Sequence, residues 1–178
     1  MLVVFGGLPG TGKSTLAKRL AADRSAAYVR VDEIETVLAR KTALGSHVGA
    51  AGYLVAFAIA RSNLGCGNIV VADSVNPVAE SREGWRSVAG SAGVAVLEIE
   101  LVCSDEDEHR RRVEERKADV PGLTHPDWKM VRARTYSPWT TDRLVIDTAR
   151  LTPDEALTAI ARHLDALSVE LAGAATRS

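Results

Sequence analysis

An apolar run, Leu2-Val3-Val4-Phe5, passes directly into Gly6-Gly7-Leu8-Pro9-Gly10-Thr11-Gly12-Lys13-Ser14-Thr15. Gly7, four free positions, then Gly12, Lys13 and Ser14 satisfy the spacing G-x-x-x-x-G-K-[ST], with a strand-like stretch before it and helix formers after it. The chemistry this allows is the gripping of a polyphosphate. Glycines let the backbone turn so that successive N–H groups face one hollow, and the helix starting there adds the positive end of its dipole. Gly7, Leu8, Pro9, Gly10, Thr11, Gly12, Lys13, Ser14 and Thr15 are therefore the expected nucleotide contacts. Lys13 can reach β- and γ-phosphates, and the Ser14 hydroxyl can complete the shell of an Mg²⁺ that keeps several waters. The competing reading, a chance match in a glycine-rich turn, is weakened because strand, turn and helix occur in the required order.

Two acids close strand-like stretches: Asp32 after Tyr28-Val29-Arg30-Val31, and Asp73 after Asn68-Ile69-Val70-Val71-Ala72. Ligands of open parallel sheets gather beyond the carboxyl ends of strands, which puts both acids on the edge that carries the glycine-rich turn. Asp32 is thus a candidate for catalysis, its alternative being an N-cap worth about 1 kcal/mol to the next helix. Asp73 is the candidate to hold a water of the Mg²⁺ shell or to polarise an acceptor. Arg112 and Arg116 lie one turn apart in the run His109 to Lys117, ahead of a loop with Pro121-Gly122 and His125-Pro126. A solvated face of Glu/Arg pairs is the competing reading there. Tyr53, Arg61, Asn76 and Arg82 are candidates for an acceptor pocket. Against them stand ordinary roles: core or solvated face for Tyr53 and Arg61, a helix cap for Asn76, a solvated arginine for Arg82.

Positioning these groups requires an alternation of strands and helices, and the chain supplies one. Helices are expected over about 13–23, 32–40, 47–64, 77–90, from a Ser104 cap through the charged run, 127–134, and from Pro153 onward behind a Thr152/Glu155 capping box. Strands are expected at 2–5, 28–31, 68–73, 94–102 and 144–147. The result is an α/β three-layer sandwich, five strands with helices on both faces. The stretch of about 117–140, with its two proline turns, is an insertion where a lid would be, and the tail after Glu170 is expected to fray. Trp85 is expected in the core.

At 178 residues the chain is long enough for one α/β core, so 1–178 is read as a single domain. Hydrophobic residues at 46% beside 25% charged ones exclude a disordered chain. A net charge of −1 carries no asymmetry that would signal a nucleic-acid or membrane surface. Cys66 and Cys103 stand far apart without metal-knuckle spacing, which suits a reduced, cytoplasmic setting, and the start of the chain has no signal-peptide pattern.

With the glycine-rich turn after the first strand, acids closing the second and third, and paired arginines before a lid, the chain resembles the small P-loop kinases of the adenylate-kinase-like fold. Within them it is most similar to the group related to gluconate kinase, shikimate kinase, chloramphenicol phosphotransferase, zeta toxins and polynucleotide kinase domains. The resemblance implies a parallel sheet in the order 2-3-1-4-5. It makes Asp32 the acceptor-binding or general-base carboxylate and Asp73 the Mg²⁺-associated one. Arg112 would flank adenine, Arg116 would reach the transferring phosphoryl group, and Thr148 and Ala149 would border the base. No glycine-tyrosine-proline-arginine run follows Asp73, which argues against an AMP-like acceptor, and no NKxD-like guanine motif is present, which implies ATP. The lid has none of the cysteines of zinc-bearing lids.

The expected activity is transfer of the γ-phosphoryl of Mg²⁺-ATP to a hydroxyl of a small molecule, with Lys13, Asp32 and Arg116 catalytic. A polynucleotide 5′-hydroxyl kinase is the runner-up, disfavoured by the near-neutral charge. An ATP-binding regulatory module without an acceptor is the non-enzymatic alternative. The identity of the acceptor and the oligomeric state are left open by the sequence.

Overall fold

The computed structural model describes residues 1–117 and 119–175, apart from the side chains of 170–172, 174 and 175. Five strands, β1 (Leu2–Gly6), β2 (Ala27–Arg30), β3 (Val70–Asp73), β4 (Val96–Val102) and β5 (Leu144–Asp147), form one sheet in the order β2-β3-β1-β4-β5. Every pairing is parallel, with Phe5 level with Asp73 and Arg30 level with Asp73 on the other side. The order is the one the family resemblance implies. Short apolar strands buried on both faces need covering on both. Val3, Phe5, Ile99 and Ile146 pack against α1 (Lys13–Asp23) and α7 (Pro153–Ala175). Leu2, Val4, Val70 and Ala72 pack against α3 (Ala51–Gly65) and α4 (Ala79–Ser91), with Trp85 fully buried among them.

The remaining helices are α2 (Val31–Lys41), α5 (Glu106–Glu114) and the short α6 (Trp128–Ala133). Glu98 and Glu100 of β4 face the layer that holds α4, and both are buried. Arg86 and Thr141 engage Glu98, and Arg143 engages Glu100, so each buried charge has a donor. These bonds pin the segment that leads into β5.

Several boundaries differ from the sequence expectation. α2 begins at Val31, immediately after β2, so Asp32 sits in the first helical turn and no side chain caps the helix. Asp105, not Ser104, caps α5 by accepting from Glu108 N. Asn76 does not cap α4; it lies three residues ahead of the helix, at φ 50° and fully buried. The Thr152/Glu155 capping box is present, with Thr152 N donating to Glu155 at 2.8 Å. α7 continues to Ala175 instead of fraying after Glu170, while Ala118 of the expected lid and 176–178 of the tail lie outside the described residues. Among the described residues, no helix is long and apolar enough to cross a membrane.

Candidate active site

β1 delivers the glycine-rich loop to the sheet edge, and three glycines take backbone conformations that an L side chain resists. Gly7 (φ 133°), Gly10 (φ 88°) and Gly12 (φ 90°) have positive φ, and a Cβ on Gly7 would come within 2.3 Å of Leu101 O. Thr11 Oγ1 donates to Leu8 O at 2.9 Å, and His109 Nε2 of α5 lies 2.8 Å from Pro9 O, so the loop is braced from inside and from a neighbouring helix. Gly12 occupies the N-cap of α1 and no side chain caps that end. The first amides of α1 are thus left for an anionic ligand.

Lys13 is 7% exposed and donates to Leu8 O at 2.9 Å. Burial lowers its pKa to about 8, against the pull of the Asp73 and Asp32 carboxylates and with the help of the Arg116 and Arg134 charges. Four charged groups therefore converge on one ammonium. Beside it a cleft of about 220 Å³ is lined by Gly10, Gly12, Lys13, Ser14, Arg112 and Arg116. It runs on, through Gly12, Thr15 and Arg112, into a mostly apolar cavity of about 210 Å³ walled by Leu16, Thr148, Leu151 and Ala156. A polar hollow joined to an apolar slot has the shape and polarity of a site for phosphates and a base.

Arg112 projects from α5 with both edges of its guanidinium held, by Glu108 at 2.7 Å and by Thr148 Oγ1 at 2.9 Å and Thr148 O at 3.0 Å. Its flat face is what remains to offer a base. Arg116 lies two residues beyond the end of α5, half-buried, with no hydrogen bond or ion pair among the described residues. The helical face expected to carry both arginines ends before the second, yet both line the same cleft.

Asp73, at the end of β3, is 2% exposed and accepts from the Tyr28 hydroxyl at 2.6 Å, with Arg30 Nε at 3.7 Å. Arg30 reaches on to Asp119 in the lid segment at 2.6 and 3.1 Å, and Lys18 donates to the same carboxylate. Those bonds hold the Asp119 carboxyl well below the usual carboxylate range. The donors fit a hydrated Mg²⁺ shared with phosphates: Ser14 Oγ makes no protein hydrogen bond among the described residues, and of the two carboxylates that act on Lys13, Asp73 does so more strongly than Asp32.

Across from the phosphate cleft, Asp32, Glu35 and Thr36 of α2 face an open cavity of about 500 Å³ that the 122–124 segment closes from the other side. Asp32 makes no side-chain hydrogen bond or ion pair among the described residues. Of the other expected acceptor residues, Tyr53 lies close by, with its hydroxyl accepting from Asn76 N at 3.1 Å and burial raising its pKa to about 12. Asn76 and Arg82 are corrected to structural members. Asn76 Nδ2 donates to Phe5 O and its Oδ1 accepts from Trp85, which locks the loop after β3. Arg82, 2% exposed, donates to Asn76 O, Pro138 O and Ser137 O and stacks over Trp139, so it anchors the far end of the lid segment. Arg61 is exposed near the C-terminal end of α3, and that helix runs antiparallel to the strands, toward the opposite edge of the sheet.

Two residues that sequence reasoning passed over stand here. Glu35 follows Asp32 by three, a helical spacing that puts both on one face and was the available signal. Arg134, just past α6, influences both Lys13 and Glu35, and no local pattern announces it.

Residues 2–135, more than half of the chain, match the AAA domain family. The chain belongs to the AAA domain family. Solved structures that share the fold of this AAA domain include the Mycobacterium tuberculosis APS kinase CysC in complex with AMPPNP and APS, 22% identical at TM-score 0.69, covering 92% of this chain and 96% of that one. A gluconokinase from Sinorhizobium meliloti 1021 is 16% identical at TM-score 0.65, covering 94% and 95%. Chaetomium thermophilum Kti12, in complex with ADP-AlF3, is 19% identical at TM-score 0.64, covering 90% and 97%. No curated protein matches this chain in sequence. The fold is that of the small P-loop kinases.

Proposed function

We propose that this AAA domain transfers the γ-phosphoryl group of Mg²⁺-ATP to a hydroxyl of a small molecule, within a single domain whose lid spans about 117–140. The observation that carries the reading is the juxtaposition around Lys13: a phosphate cleft on one side, and on the other an unpaired carboxylate, Asp32, at a cavity large enough for a second substrate.

Each residue then has a task. The loop amides and the uncapped start of α1 hold the phosphates, and Lys13 and Arg116 offset the negative charge that accumulates on the equatorial oxygens as the phosphoryl group moves. Ser14, and Asp73 through water, would hold Mg²⁺, which supplies further neutralisation of that charge. Arg112 and Thr148 border the base. Asp32 orients the acceptor hydroxyl and takes its proton. The segment that includes Arg134 and 122–124 covers both ligands and excludes water, which limits hydrolysis.

The direct test incubates the purified chain with Mg²⁺-ATP and a panel of hydroxyl compounds, following ADP release and detecting products by mass. A product heavier by one phosphoryl group is expected for at least one class. ADP release that no acceptor stimulates, with no such product, overturns the reading.

A further inference from the structure

The acceptor cavity is lined by two carboxylates, Asp32 and Glu35, and by one arginine, Arg40. Asp32 and Glu35 stand one turn apart on the same wall, and neither carboxylate has a hydrogen bond or ion pair among the described residues. The arginines of neighbouring elements are engaged elsewhere. Arg30 is paired with Asp119, Arg82 with lid carbonyls, and Arg61 lies toward the other edge of the sheet. Arg40 lines the cavity, and Arg134 stands outside its lining but near enough to act on Glu35. Arg40 lies against the backbone at Gly122, and Arg134 acts on Glu35 through space without an ion pair.

Glu35 is seated by the fold. It packs against Gly52 at the start of α3, where a Cβ would come within 2.3 Å of its Cγ, so a glycine there is what admits the side chain. Lys13 and Tyr53 are the other titratable groups near the pair. A carboxylate pair seated in a cavity, with no cation bonded to it, is complementary to a ligand that brings one.

We infer that Glu35 selects the acceptor, and that the acceptor is an alcohol bearing a protonated amine, its ammonium held by Glu35 with Asp32 while its hydroxyl meets the γ-phosphoryl group. The inference rests on the phosphotransferase reading above. In the reaction, the acceptor oxygen forms a bond to the γ-phosphorus as the bond to the β–γ bridging oxygen breaks. ADP leaves with that electron pair, and the hydroxyl proton passes to Asp32. The ammonium takes no part in the chemistry. Burial, and secondarily the Asp32 charge, raises the Glu35 pKa to about 7, so an incoming ammonium displaces a proton there at neutral pH.

The test uses matched pairs that differ by an amine: glucosamine against glucose, serinol against glycerol, ethanolamine against ethylene glycol. The amine member of at least one pair is expected to show kcat/KM at least tenfold higher. Glu35→Gln is expected to shrink that ratio at least fivefold, while unchanged affinity for Mg²⁺-AMPPNP shows that the variant is folded. With AMPPNP bound, the dissociation constant of the preferred amine should rise about tenfold from pH 8 to pH 6, as Glu35 retains its proton. Neutral members that match or exceed their amine partners, or a ratio that Glu35→Gln leaves intact, overturn the inference and leave the phosphotransferase reading standing. Nucleotide binding with no product from any pair or from the wider hydroxyl panel overturns both.

Discussion

The two sides of Lys13 are built on opposite principles. On the nucleotide side the loop and the base-flanking arginine are held before a ligand arrives, with Ser14 and Arg116 left open: Thr11 and Lys13 bond to Leu8 O, His109 grips Pro9, and Thr148 clamps Arg112. On the acceptor side the carboxylates of Asp32 and Glu35 bond to nothing among the described residues. Preorganisation lets one side bind its ligand with little reordering, and unpaired charge makes the other depend on what its ligand supplies. On the proposed reading, the nucleotide is recognised largely by backbone, whereas the acceptor is recognised by a few side chains.

Removing the group where the two sides meet should have the largest effect. Lys13→Met is expected to lower kcat by about 10³-fold or more, since it takes away the charge that compensates the moving phosphoryl group. Steady-state ADP release coupled to product detection measures it, and a loss below tenfold would break the division drawn here. Asp32→Asn probes one side alone. Transfer should fall about 10²- to 10⁴-fold, the range of a lost general base, while the AMPPNP dissociation constant stays within about twofold. Transfer at a near wild-type rate would remove Asp32 from its assigned role.

A gentler probe changes only protons. The Lys13 pKa of about 8 in the free protein must rise when phosphates surround the ammonium, so binding is at full strength below pH 8 and weakens above it. AMPPNP affinity should drop about tenfold from pH 7 to pH 9, a dependence that calorimetry would record and that Lys13→Met would abolish. The smallest effect is expected at Arg61. Arg61→Ala, on an exposed face toward the far edge of the sheet, should change neither kcat nor KM by more than about twofold and stability by no more than about 0.5 kcal/mol by thermal melting. A larger kinetic change would mean that the acceptor surface extends far beyond the cavity at α2.

Much of this architecture was legible in the chain because the signals are local. A buried strand followed by the glycine pattern and a helix start is contiguous, and so is the Thr152-Pro153-Asp154-Glu155 opening of α7. Asp73 closing an apolar run could be placed on the ligand edge by the general behaviour of parallel sheets. The acceptor side was harder to read. An arginine in a helix looks the same whether its guanidinium meets a substrate, as expected of Arg82, or two carbonyls of a returning segment some 55 residues away in sequence. Asn76 was equally ambiguous, since capping and core bonding both call for a side-chain amide at the mouth of a helix.

The sequence by itself determined the nucleotide cradle and the alternation of strands and helices, because their physical causes act within a turn or a strand: glycine's conformational freedom, side-chain periodicity, helix-end capping. Only the tertiary structure decided which charges remain unpaired. Arg30, Arg82 and Arg61 were withdrawn from the acceptor cavity, and Glu35 was set into it against Gly52, by contacts between residues that chain order keeps apart. Partner choice among charged side chains is settled by distance and desolvation in three dimensions, and neither quantity exists until the layers have packed.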